Sequence, residues 1–252
     1  MGVGDLKTRL YVKQDLNKGS QIILSKEQAH YLRNVLRLRE GDNIALFNGR
    51  DGEWKTEIIN IEKKNVLVCV NICSRPQEIT ADIWLIFAPI KGLRVDFIAQ
   101  KATELGVNML CPVFTEHTSV TRVNVERLLS NAIEAAEQSG RLSVPQIHSP
   151  VRLEKLIEDW PKGRVLFCCD ETGGGKPILG AFEENKGPAG LLIGPEGGFS
   201  NRELDQLDKL SNVCRVSLGE KILRSDTAAF AALVCWQAAI GDWNAPKDKS
   251  SD

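Results

Sequence analysis

Five short, nearly continuous apolar runs most constrain the fold of this chain. They are Ile83–Ala88, Met109–Phe114, Val165–Cys169, Gly190–Ile193 and Cys214–Leu218. Nearly continuous apolar runs fit strands covered on both faces, as in a parallel sheet. Segments with helical spacing lie among them: Arg94–Leu105, Asn124–Ser139, Leu153–Asp159, Asn201–Leu210 and Ser225–Ala239. Strand and helix in alternation predict an open α/β sheet with helices on its faces. The fourth helix has an explicit start. Ser200-Asn-Arg-Glu203 is a capping box, followed by Leu204, Leu207 and Leu210 at helical spacing.

The first third reads differently. Arg9–Val12, Gln21–Leu24, Asn43–Phe47, Trp54–Ile61 and Val66–Ile72 are strand-like, with turn residues between them. One helix, about Ser25–Leu38 with Ser25 as N-cap, interrupts the series. Closely spaced short strands predict a small β-barrel. The expected division is a barrel over 1–75, a linker at 76–80, an α/β domain over 81–243 and a mobile tail at 244–252.

Charge follows the same division. The 252 residues carry a formal net charge of −1, yet residues 1–75 hold 13 Lys+Arg against 9 Asp+Glu and the remainder 19 against 24. The neutral total excludes a non-specific nucleic-acid coat, while a basic module permits a specific reader. The densest basic cluster is Arg33, Arg37 and Arg39. On a continuous helix Arg33 and Arg37 share one face, and Leu32, Val35 and Leu36 take another. That face is either solvated or contacts phosphate.

Hydrophobic residues make up 42% and charged residues 26%, which is not a disordered composition. No apolar run approaches the ~18 residues needed to span a bilayer. The N-terminal residues lack the apolar region of a secretory signal, and no membrane partner is expected. Seven Cys, an odd number, lie mostly inside apolar runs, with no CxxC pair and only three well-separated His. The expectation is a reduced, cytoplasmic protein without a metal site.

Two segments after predicted strands draw attention, because α/β sheets bind ligands beyond the carboxyl ends of their strands. In Gly194-Pro-Glu-Gly-Gly-Phe-Ser200, Gly194, Gly197 and Gly198 let the backbone approach a ligand closely, or simply make a strand-to-helix turn. In Ser217-Leu-Gly-Glu-Lys-Ile-Leu-Arg-Ser-Asp-Thr-Ala228, Leu218, Gly219, Ile222 and Leu223 are apolar groups in a connection. They pack into the core or against a flat apolar ligand such as adenine. Gly173-Gly-Gly-Lys176 lacks the Ser or Thr of a phosphate loop and reads as a flexible surface loop.

Both segments resemble the cofactor loops of SPOUT-class methyltransferases, and their form resembles the RsmE family, which methylates N3 of a uridine in small-subunit ribosomal RNA. The likeness extends over nearly the whole chain. Residues 30–42 resemble the family's PUA-like RNA-binding barrel, and Lys101–Val107 and Glu134–Arg141 resemble two further signatures. Lys221 stands where the family commonly has Arg, and Asp226 where it commonly has Glu. The resemblance implies a C-terminal SPOUT α/β domain with a mostly parallel sheet and a deep trefoil knot. It also implies an N-terminal PUA-like barrel, a homodimer with shared sites, and 16S ribosomal RNA or the small subunit as partner. It assigns S-adenosylmethionine to Ile193, Gly194, Pro195, Glu196, Gly197, Gly198, Leu218, Gly219, Ile222, Leu223, Arg224, Thr227 and Ala228.

A uracil N3 becomes nucleophilic on losing its proton, so the site needs a base or a cationic environment. Arg224 is a candidate for that charge, or for an RNA phosphate. Arg9 is a candidate for catalytic electrostatics or RNA contact. Arg33, Arg37, Arg39, Gln138 and Arg141 complete the expected RNA-binding set. Glu196 shapes the pocket or accepts a proton. Glu134 and Gln138 share a helix face that either holds a uridine or forms a structural cluster. His117 reads as a lone surface histidine despite its place after a strand, and Asp170 or Glu171 is a weak candidate for the ribose hydroxyls. Two other readings stand beside this one: a non-catalytic RNA-binding or ribosome-assembly factor on the same fold, and a SPOUT enzyme for another nucleotide group such as a ribose 2′-hydroxyl.

Overall fold

The computed structural model describes residues 6–63, 65–92 and 94–244. The tail expected at 244–252 lies, from 245 onward, outside the described residues, as do residues 1–5 of the expected barrel and Lys64 of the 63–65 turn. In chain order the elements are β1 (Leu6–Tyr11), β2 (Gln21–Ile23), α1 (Lys26–His30), β3 (Asn43–Phe47), β4 (Glu53–Ile61) and β5 (Val66–Arg75). Then come β6 (Ile83–Phe87), α2 (Arg94–Glu104), β7 (Met109–Phe114), α3 (Val125–Ser139), β8 (Gln146–Ile147), β9 (Val151–Arg152) and α4 (Leu153–Glu158). Last are β10 (Val165–Cys169), β11 (Lys176–Pro177), α5 (Ile178–Glu184), β12 (Ala189–Ile193), α6 (Asn201–Leu207), β13 (Val213–Ser217) and α7 (Ser225–Ala239). The chain divides into two compact units. The first runs to Ile79 and also takes Ala136–Val144, so a short stretch expected in the α/β domain groups with the N-terminal one.

The first unit is a five-stranded sheet in the order β1-β3-β4-β5-β2, with β1 parallel to β3 and the other pairs antiparallel. Alternation does the sorting: Val66, Val68 and Val70 of β5 point inward and meet Leu10, Ile22, Leu32, Ile44, Leu46 and Ile58. Ser25 caps α1 in a capping box with Gln28. The helix expected to Leu38 ends sooner. A π-helical turn occupies Tyr31–Val35, and Arg37 is left-handed, with φ 56°. The Leu38 amide donates back to the Leu32 carbonyl, which closes the helix end. Arg33 and Arg37 therefore do not share a helical face, and Val35 is 59% exposed instead of lying with Leu32 and Leu36. The wider turn shifts the side-chain phase, and the left-handed residue lets both Leu36 and Leu38 reach the core.

Arg9, expected at an RNA contact or in catalysis, makes a set of contacts within the first unit. Its Nε lies 2.5 Å from the buried Glu53 carboxylate. Its terminal nitrogens donate to the carbonyls of Ala136 at 3.0 Å, Glu137 at 2.9 Å and Arg141 at 2.9 Å. The guanidinium also stacks 4.6 Å from the Phe47 ring centroid. The last carbonyls of a helix have no partners within it, and Arg9 supplies them at the end of α3.

The second unit carries a parallel sheet in the order β11-β13-β10-β12-β6-β7-β8, with β9 also pairing β7. Successive side chains leave opposite faces. Leu85 and Phe87 join a cluster with Ile98, Phe182, Leu233 and Trp236, from α2, α5 and α7. Ile86 joins another with Leu156, Leu204 and Leu207, from α4 and α6. Burial on both faces explains why the central strands β6, β7, β10 and β12 lack alternation in the sequence. The Gly173–Lys176 loop is pinned rather than free: Lys176 and Pro177 pair with β13, and a Cβ on Gly175 would lie 2.5 Å from the Val216 backbone. At the amino ends of the strands, buried Arg164 stacks 3.8 Å over Trp84, pairs with Asp82 and donates to the Ala189 carbonyl.

Arg9→Ala leaves Glu53 buried without its cation and strips the end of α3. A loss of about 3–5 kcal/mol is expected, visible as a lowered midpoint in urea unfolding followed by tryptophan fluorescence. An unchanged midpoint would contradict the clamp.

Candidate active site

Parallel register brings three strand ends together. Cys169 of β10 pairs with Ile193 of β12 and with Val216 of β13. The residues just beyond these strands surround a cleft of about 630 Å³ that opens to solvent. Of the residues expected at a cofactor, Ile193, Gly194, Pro195, Glu196, Leu218, Gly219, Ile222, Leu223 and Ala228 line it. Gly197, Gly198, Arg224 and Thr227 do not. Cys169, Glu220, Lys221 and Ser225 line it as well, beside Asp170 and Glu171. The sequence signal for Cys169 was its place at the end of a buried run, and for Ser225 its place at the first turn of α7.

The glycine loop is held at several points. The Ser225 hydroxyl donates to the Gly194 carbonyl at 2.9 Å, tying the start of α7 to the end of β12. The Gly198 amide donates to Pro195 O at 2.9 Å, closing a turn. Gly198 has φ 68°, and a Cβ there would lie 1.8 Å from Glu171 Oε1. Only glycine fits such a left-handed, crowded position. The Phe199 amide donates to the same Glu171 oxygen at 3.2 Å. Ser200 and Glu203 form the capping box of α6, and the buried Glu203 also accepts from the Glu116 amide at 2.8 Å. His117 is exposed but not solitary, since its Nδ1 lies 3.0 Å from the Gly197 carbonyl.

Electrostatics divide the carboxylates. Asp170 is not available for ribose hydroxyls: it accepts from Arg215 Nη2 at 2.6 Å and from the Thr172 amide and hydroxyl, each at 2.9 Å. Burial alone would raise its pKa, but these hydrogen bonds outweigh it and hold the carboxyl below its ordinary value. Glu171, Glu196 and Glu220 leave the lining rich in negative charge, with Lys221 as its cation. The Cys169 thiol is pushed up to about 12 by burial, so it lines the cleft as apolar surface and not as a nucleophile.

Arg224 is exposed at the N-cap of α7, next to Leu223 of the wall, and Thr227 is exposed one turn on. In the first unit Arg37 and Arg39 are exposed and Arg33 half-buried, and none of the three enters an ion pair among the described residues. Glu134 and Gln138 are exposed on α3, and Arg141 Nε donates to the Ser143 hydroxyl at 3.1 Å. Among the described residues no group of three or more His, Cys, Asp or Glu is placed to hold a metal ion, and no helix is long and apolar enough to cross a membrane.

Comparison with known proteins bears on both units. Residues 77–237 match the family model described as RNA methyltransferase domain, and residues 24–69 the one described as RNA methyltransferase PUA domain. The ribosomal RNA small subunit methyltransferase E of Rickettsia conorii is 33% identical over 227 residues, 89% of this chain and 93% of that one. That of Bacillus subtilis is 30% identical, covering 88% and 91%. The Neisseria gonorrhoeae ribosomal RNA small subunit methyltransferase E, solved bound to S-adenosyl methionine, aligns with a TM-score of 0.86 at 29% identity, over 94% of this chain and 99% of that one. A Legionella pneumophila protein, solved with its bound cofactor SAM, aligns at 0.83 with 30% identity, over 94% and 99%.

Because the folded state depresses the Asp170 pKa, its stabilising effect is complete above the ordinary value near ~3.9. That effect is lost as pH falls through the lower folded value. Thermal melts of the wild type and Asp170→Asn should differ by several degrees at neutral pH, and the gap should begin to close only below about pH 4, vanishing once pH drops beneath the folded-state value. A gap independent of pH would contradict this account of the pair.

Proposed function

Since this chain belongs to the RNA methyltransferase family, within the ribosomal RNA small subunit methyltransferase E group, we propose that it methylates N3 of a specific uridine in 16S ribosomal RNA with S-adenosylmethionine as donor. The cleft beyond β10, β12 and β13 carries this reading. Ile193, Leu218, Leu223 and Ala228 offer apolar surface suited to a flat adenine, and Glu171, Glu196 and Glu220 suit a cationic sulfonium. Backbone of Gly194–Gly198 and of Leu218–Gly219, with Ile222, Arg224 and Thr227 at the rim, completes the set that would hold the cofactor. When bound, S-adenosylmethionine supplies a methyl group on a sulfonium that leaves readily. The protein's own task is then to align the uridine and favour loss of its N3 proton.

Arg224 suits that second task, because an exposed guanidinium beside the cleft wall stabilises a developing uracil anion. Glu196 shapes the loop beside it. In the first unit, the exposed Arg37 and Arg39 and the neighbouring Arg33 serve as phosphate contacts, with Gln138 and Arg141 as further RNA contacts. The target uridine enters single-stranded or flipped from its stack. Residues 1–75 thus read RNA, 76–80 link, and 81–243 transfer the methyl from a domain whose chain is knotted.

The homodimer reading draws on an apolar patch. Phe97 of α2 is 44% exposed and Val234 of α7 39% exposed, while Phe97 and Phe230 pack edge to face at 5.3 Å. Exposed apolar groups of this kind on adjoining helices suit a symmetric interface. The free cysteines suit a reducing cytoplasm.

Mass spectrometry of ribosomal RNA from a strain lacking the gene tests the substrate. Loss of one N3-methyluridine, restored by the plasmid-borne gene, is expected. Persistence of every methylated uridine, or loss of a ribose methyl instead, would overturn the assignment. In calorimetry Gly197→Val should bind S-adenosylmethionine at least tenfold more weakly than wild type. Its Cβ would meet His117 Cβ at 3.2 Å, so the larger branched side chain must shift the loop.

A further inference from the structure

The glycine loop is gripped from the side of β7. After that strand the chain turns at Thr115–Thr118: the Thr118 amide donates to Thr115 O at 3.1 Å, and the Thr118 hydroxyl accepts from the Thr115 amide at 2.9 Å. The Glu116 amide is separately fastened to the buried Glu203. The turn is thus held without help from the His117 side chain, which reaches the glycine loop from a fixed base. His117 Nδ1 lies 3.0 Å from the Gly197 carbonyl and 3.1 Å from the Gly198 carbonyl. A carbonyl oxygen only accepts, so Nδ1 carries the proton and donates to both.

The Gly198–Phe199 peptide is engaged at both ends. Its carbonyl accepts from His117, and its amide donates to Glu171 Oε1 at 3.2 Å. A peptide is planar, so partners on opposite edges determine its rotation about the chain. Gly197 and Gly198 cannot hold that rotation by themselves, because glycine has the widest backbone freedom of any residue. Loops from β7, β10 and β12 meet at this one peptide.

We propose that His117 is a positioning residue: by donating its Nδ1–H to the carbonyls of Gly197 and Gly198, it holds the glycine loop in the orientation that receives the cofactor. The proposal rests on the cleft being the S-adenosylmethionine site. His117 acts through the loop and touches no reacting atom.

Calorimetry with S-adenosylmethionine on wild type, His117→Ala and His117→Asn, alongside steady-state kinetics with small-subunit RNA, tests it. An asparagine amide nitrogen stands the same two bonds from Cβ as a histidine Nδ1, so Asn keeps the donor and Ala removes it. One lost exposed hydrogen bond predicts a Kd and a KM for S-adenosylmethionine raised about fivefold in His117→Ala. The KM for RNA and kcat at saturation should stay within about twofold, and His117→Asn should recover most of the affinity. Affinity in His117→Ala equal to wild type overturns the proposal. So does a change confined to the RNA KM, or an Asn variant as weak as Ala. If wild type itself binds no S-adenosylmethionine, the reading of the cleft fails instead, whatever the variants do.

Discussion

Parallel pairing of β13, β10, β12 and β6 is the constraint on which the second unit depends. Parallel neighbours cannot be joined by tight turns, so every connection crosses a face of the sheet and covers it. The same pairing places all carboxyl ends along one edge. Residues as far apart in sequence as Cys169, Ile193 and Val216 become neighbours through hydrogen-bond register alone. The cleft is the space those strand ends leave between their loops, and its lining follows from register as much as from motif.

Charged groups in this protein divide into struts and free groups. Arg164 at the amino edge of the sheet, Arg215 beside Asp170 and Arg9 in the first unit are spent on buried carboxylates, carbonyls and aromatic faces. Each satisfies groups that would otherwise be buried without a partner. Arg224, Arg37 and Arg39 are exposed, which is what a substrate polyanion requires of its contacts. Residue type alone does not separate the two sets. Arg9 and Arg37 look alike in a charge count, yet one ends a helix and the other faces water.

The strands and long helices were legible because burial demands a pattern. Met109–Phe114, Val165–Cys169 and Ser225–Ala239 begin and end where their apolar runs do. The capping box at Ser200 marked a helix start by local hydrogen bonds, which need no tertiary context. The pairs β8, β9 and β11 left no trace, since two residues have no periodicity. Helix α5 was hidden behind a glycine run and lacks a side-chain cap. The helix from Ser25 was read too long because its left-handed end falls on Arg37, a residue that gives no warning of that conformation.

By itself the sequence determined the class of fold, the family and the two loops that meet at the cleft, because periodicity and local turn chemistry are properties of neighbours along the chain. Only the tertiary structure decided which charges are struts, that Asp170 is already occupied by Arg215, and that His117 reaches the glycine loop 80 residues away. These are contacts between residues remote in sequence. Their existence depends on strand register and on how helices cross the sheet, and no local pattern encodes either one.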